Sequence, residues 1–113
     1  MRRTALALIV LGLLIHGGGR VAAQRGQWES YGPTIDSCGT FTKTTGANRV
    51  ALEWWVLGFV SGAGYAQSQS GVGLAKTDPD GVTEWVAKYC ADHPLDPFAR
   101  AVIELVAELG KRR

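Results

Sequence analysis

An all-α fold is what this sequence predicts, and three observations carry that reading. The stretch Val50 to Ala66, VALEWWVLGFVSGAGYA, is the most apolar run outside the N-terminus. Further on, Val82, Trp85, Val86, Tyr89 and Cys90 fall at i, i+3, i+4, i+7 and i+8, an amphipathic stripe of helical period. No strand alternation, internal repeat or low-complexity segment interrupts the pattern. The expected architecture is a small disulfide-linked bundle of about four helices.

Residues 1–23 are organised as a secretory signal peptide. Arg2 and Arg3 form a basic start, Ala5 to Ile15 an apolar core, and Val21-Ala22-Ala23 a small-residue cleavage site, with the cut expected after Ala23. The apolar core is shorter than the roughly 20 residues a membrane span requires, so no stable membrane anchor is expected. The expected location is the periplasm or the exterior. Residues 24–36 then read as an N-terminal arm, 37–110 as the helical domain and 111–113 as a basic tail.

Arg2, Arg3 and Arg20 leave with the signal and no acid does, so twelve Lys+Arg fall to nine against ten Asp+Glu, a net charge of −1. The remaining chain has no basic stripe, and Lys111-Arg112-Arg113 is a solvated helix end, so nucleic acid is not an expected partner. A domain of this length buries only roughly 60 to 65% of its unfolded surface, so a covalent constraint is useful. The two cysteines, Cys38 and Cys90, are an even pair in an oxidising context and argue for one disulfide. They form no CxxC. With His93 as the single mature histidine, they make no zinc set either.

Between Gln24 and Ile35 there is no sustained period, and Gly26, Gly32 and Pro33 break the chain; Trp28 and Tyr31 are expected to pin this arm to the body. Asp36 or Ser37 caps a short helical turn through Cys38, Phe41 and Thr42, ended by Gly46. Asn48 is the expected N-cap of the central helix, Arg49 to about Gln67. Because this helix is apolar nearly all round, it is expected to be buried. Gly58 and Gly62 are expected to lie beneath a neighbouring part of the same chain. Trp54 and Trp55 point about 100° apart, so one sits at the edge, covered by the arm or left to a partner; the arm is the expectation.

Ser68 to Lys76 reads as a loop. Asp78-Pro79-Asp80 supplies an N-cap, an N1 proline and a first-turn acid for the next helix, which His93-Pro94 ends. Asp96-Pro97 repeats the arrangement for the last helix, whose core face is Phe98, Val102, Leu105, Val106 and Leu109, whose wet face holds Glu104 and Glu108, and whose stop is Gly110. No nucleophile stands beside a base and no metal-ligand cluster occurs, so neither catalytic residues, metal nor cofactor are expected.

Ser37-Cys38-Gly39, the apolar helix with Gly58-Phe59-x-x-Gly62, then Asp80-Gly81-x-x-x-Trp85-x-x-x-Tyr89-Cys90, Pro94 and a final helix from Phe98 form a pattern that resembles the HdeA/HdeB family of periplasmic acid-stress chaperones. It is also similar to the related immunity proteins that neutralise amidase effectors of type VI secretion. The resemblance spans roughly Ser37 to Leu109. It implies a four-helix domain with one disulfide that acts by binding.

The chaperone branch implies a homodimer that loosens in acid and exposes apolar surface to unfolded periplasmic proteins. Trp54, Trp55, Phe59 and Trp85 are then the candidate protein-binding residues. Below about pH 3 the carboxylates are largely neutral while Lys, Arg and His93 stay charged, so self-repulsion opposes the compact state and a disulfide limits its expansion. The immunity branch implies inhibition of a cell-wall amidase. Few lysines, extra tryptophans and a glycine-rich central helix set this chain apart from the chaperone pattern.

Overall fold

Four helices follow one another in the computed structural model, which describes residues 28–32 and 36–112: α1 (Cys38–Lys43), α2 (Gly46–Ser68), α3 (Pro79–Asp92) and α4 (Phe98–Lys111). The described residues form no strand, only an isolated bridge between Ser37 and Pro97. The expected signal peptide and cleavage site, residues 1–23, lie outside the described residues.

Ser37 is the residue that caps α1. Its backbone is extended and its hydroxyl accepts from the Thr40 N–H at 3.2 Å. The helix stops at Lys43, before Gly46, where Thr44 turns to an extended backbone and its N–H caps the carbonyls of Thr40 and Phe41, each at 3.1 Å. Gly46 therefore opens α2 instead of closing α1. The N-cap position is Thr45, with no side-chain cap, and Asn48 sits exposed in the first turn.

The expected burial of α2 is corrected in the same way. Only Leu52 and Val56, one turn apart, are fully buried on it. The helix leans on α3 and α4 through that one face, and no described element covers the opposite side. Gly58 and Gly62 have nothing within 4 Å of where a Cβ would stand, so they do not lie beneath a neighbour; Gly64 alone of the three meets one, Leu74, at 3.5 Å.

α3 follows its sequence signals. The Asp78 carboxylate accepts from the Gly81 N–H at 2.6 Å, Pro79 occupies the first turn, and His93 ends the helix, its Nδ1 lying 3.0 Å from the Tyr89 carbonyl oxygen. A Cβ on Gly81 would stand 2.8 Å from Thr77 Oγ1 and 3.1 Å from Asp78 Oδ1, so a side chain there would crowd the cap. α4 departs at both ends. Pro97, not Asp96, is its N-cap residue, because Asp96 is used elsewhere: its carboxylate accepts from the Tyr89 hydroxyl at 2.7 Å and its carbonyl from the Cys38 N–H at 2.9 Å. Nor does Gly110 stop the helix, which continues through Lys111 while Arg112 pairs back to Glu108 at 2.8 Å.

The core belongs chiefly to α3 and α4. Val82, Val86 and Cys90 from α3 meet Phe98, Ala101, Val102, Leu105 and Leu109 from α4, joined by Cys38 and Phe41 from α1 and by Leu52 and Val56 from α2. The Phe41 and Phe98 rings stack with centroids 4.7 Å apart. Full burial of each large side chain contributes roughly 1.5 to 3 kcal/mol. The disulfide Cys38–Cys90 ties α1 to α3 within this core, and its sequence separation of 52 corresponds to about 4 kcal/mol of loop-closure entropy. Arg49 joins α2 to α1: its guanidinium lies 3.7 Å from the Phe41 ring centroid, donates to the Phe41 carbonyl at 3.0 Å and pairs with Glu53 at 2.9 Å.

Candidate protein-binding surface

Adjacent tryptophans on a helix diverge by about 100°, and here the two meet different fates. Trp55 is half-buried under the N-terminal arm. Its indole N–H donates to the Tyr31 carbonyl at 2.9 Å, and Phe59, one turn on, packs at 5.6 Å from Trp55 and 5.8 Å from Trp28. The arm thus holds on through the Trp28 ring and the Tyr31 main chain. The Tyr31 ring itself is 85% exposed.

Trp54 is 70% exposed, with Val50 at 50% and Tyr65 at 71% on the same helix. Gly58 and Gly62 lie between Trp54 and Tyr65 with open space above them, so the outward side of α2 is a shallow apolar trough with an aromatic at each end. Beside Trp54, a cavity of about 250 Å³ is lined by Glu53, Leu57, Pro79, Asp80 and Thr83. Two carboxylates therefore flank the exposed indole, one on α2 and one in the first turn of α3. Glu53 is already paired with Arg49, while the Asp80 carboxylate has no ion-pair partner among the described residues.

Trp85 stands apart from both groups. It stacks on Tyr89 at 5.5 Å, and Tyr89 on His93 at 4.3 Å, a ladder along the surface of α3. The hydrogen bond to Asp96 holds the Tyr89 hydroxyl above its usual 10.0, assisted by desolvation and the Asp96 charge and opposed by Arg100. Of the four candidate residues, then, the fold joins Trp55 with Phe59, turns Trp54 outward on α2, and places Trp85 in a separate cluster on α3.

Comparison with known protein families, with curated proteins and with solved structures finds no match for this chain. The site is therefore judged on its own chemistry. Among the described residues no group of three His, Cys, Asp or Glu side chains could hold a metal ion, and no helix is long and apolar enough to cross a membrane. What the outward face of α2 offers is apolar area with an acidic edge.

Sequence reasoning missed Val50, Tyr65 and Asp80 as parts of this face. A helix apolar on every side gives no indication of which side is left uncovered. The available signal was the absence of enough apolar surface elsewhere in the chain to enclose a 23-residue helix.

Proposed function

We propose that this chain is a small exported protein, similar to the HdeA/HdeB type, that works by docking another protein on the outward face of α2. The single observation that carries the reading is Trp54: a large aromatic, 70% exposed, on a face that no described part of the chain covers. Tryptophan and tyrosine supply much of the energy of protein interfaces because they bury large area at small entropic cost. Of the two branches the resemblance implies, this preformed face favours the immunity type, which binds a folded enzyme at neutral pH. The partner's own surface would carry basic residues opposite Glu53 and Asp80.

The acid-chaperone reading has its own support in the arm. Among the described residues, the Trp55–Tyr31 hydrogen bond, the Trp28–Phe59 ring contact and the close approach of Gly32 to Trp55 hold residues 28–32 over Trp55 and Phe59, so loosening of the arm would uncover a second aromatic pair. Two measurements separate the readings. An immunity protein forms a complex with a cell-wall amidase at pH 7 and inhibits it, and Trp54→Ala weakens that complex about tenfold or more, in the range of interface hot spots. A chaperone instead suppresses aggregation of unfolded proteins at about pH 2 to 3 and not at pH 7, the range in which carboxylates lose their charge. A protein that shows neither amidase inhibition nor acid protection overturns the proposal.

A further inference from the structure

We propose that the cavity between the N-terminal arm and α2 is a binding site for a quaternary ammonium group. It lies on the Trp55 side of α2, shares only Gly58 with the docking face around Trp54, and has a volume of about 410 Å³, within the range of small-molecule sites. Trp28, Tyr31, Trp55 and Phe59 line it, with Gly58 leaving open space on the helix side, Glu29 supplying a carboxylate and Ser30 a hydroxyl. The rings are tilted to one another, Trp28 to Phe59 by 59° and Trp55 to Phe59 by 38°, so they do not close into a parallel stack.

Three packed aromatic rings, those of Trp28, Trp55 and Phe59, and one carboxylate around an open space suit a cation, since the face of an aromatic ring is the negative pole of its quadrupole. The hydrogen-bonding inventory specifies which kind. The Trp55 N–H is already committed to the Tyr31 carbonyl, and beyond the Glu29 carboxylate and the Ser30 hydroxyl the lining is mostly apolar, with little to receive further N–H donors. A primary ammonium brings three N–H donors that need acceptors. A fully alkylated ammonium brings none, and its methyl groups gain from contact with ring faces while Glu29 balances the charge.

Gly32 maintains the arrangement. Its φ of +124° favours glycine, and a Cβ there would lie 2.7 Å from Trp55 Cδ1, so the arm reaches the indole only because residue 32 has no side chain. The same chemistry could be presented by free choline or by a phosphatidylcholine headgroup.

The test uses the purified protein, titrated with choline and with its neutral isostere 3,3-dimethyl-1-butanol and followed by tryptophan fluorescence and calorimetry. Choline is expected to bind about tenfold more tightly than the isostere, the selectivity that cation–π contacts supply. Trp28→Ala and Glu29→Gln alter exposed arm residues and are each expected to weaken choline binding several-fold, whereas Trp54→Ala leaves it unchanged. Vesicles of phosphatidylcholine distinguish the sources: sedimentation with vesicles, reversed by free choline, assigns the headgroup, and choline binding without sedimentation assigns the free cation. Equal binding of choline and its isostere, binding of neither, or choline affinity indifferent to both Trp28→Ala and Glu29→Gln overturns the proposal. A loss of partner docking in Trp54→Ala with choline binding intact would leave the two sites separate.

Discussion

The Trp55 indole donates to the main-chain carbonyl of Tyr31 across 24 residues of sequence, at 2.9 Å, and this bond decides which of two adjacent tryptophans the protein covers. It also accounts for Gly32, one residue beyond the acceptor, whose positive φ turns the arm against the ring. Gly32→Ala should therefore detach the arm without unfolding the bundle. The strain and the contact together should lower stability by about 1 to 3 kcal/mol, limited by what arm docking contributes. Urea denaturation measures the loss, and faster proteolysis between residues 28 and 36 locates it. An unchanged proteolysis rate would contradict the role assigned to the Trp55–Tyr31 bond.

Trp54 and Leu52 are near neighbours on α2 with opposite exposure, and substitution should separate them. Leu52→Ala leaves a cavity in the core and should destabilise by about 2 to 5 kcal/mol. Trp54→Ala removes a larger side chain from a solvated position and should change stability by no more than about 0.5 kcal/mol. Equilibrium unfolding of the two variants checks both values. A large loss in Trp54→Ala would mean that the outward face of α2 is covered by another part of the chain or a second copy.

Cys38 and Cys90 are both fully buried, so reduction removes a cross-link and leaves two thiols inside the core. The Cys38→Ser, Cys90→Ser double variant should lose about 2 to 5 kcal/mol, the usual cost of removing a native disulfide from a small exported domain. Its unfolding midpoint should be insensitive to reductant, while that of the native chain falls on reduction. Alkylation of the unreduced native chain should label neither cysteine.

Much of this fold was legible because several local signals agreed. Asp78-Pro79-Asp80 marks the start of α3 by capping chemistry alone, and the stripe Val82, Val86, Cys90 points to the core in both sequence and structure. Helix ends were misread where side chains had other employment. Asp96 looks like an N-cap until Tyr89 is brought beside it, and Gly46 and Gly110 look like stops until the extended C-cap at Thr44 and the Glu108–Arg112 pair are placed. The site was harder still. That the arm would reach Trp55 in preference to Trp54 depends on a contact over long sequence distance, and the apolar pattern of α2 is nearly equal on both sides.

The two groups with shifted ionisation give the pH response its sign. The Arg112 guanidinium hydrogen-bonded to Glu108 holds that carboxyl below its usual 4.5, against a smaller opposing desolvation. A depressed acid stabilises the fold above its unfolded value and ceases to do so as pH falls through the folded value. Tyr89 runs the other way: its raised value means that the neutral phenol stabilises below 10.0 and that the contribution disappears as pH rises through the folded value. Glu108→Gln should thus lower the urea midpoint near neutrality and converge on the native curve in acid. Tyr89→Phe should lower it near neutrality and converge in alkali.

Both groups lie at the surface, and the described core contains no polar or charged side chain, so their acid and alkaline effects should be shallow. If the native midpoint nevertheless drops steeply between about pH 4 and 2, with Glu108→Gln following it in parallel, the drop must come from the summed repulsion of the remaining cations. That is the behaviour the acid-chaperone reading requires. A gradual, nearly level acid limb would count against the acid-chaperone reading.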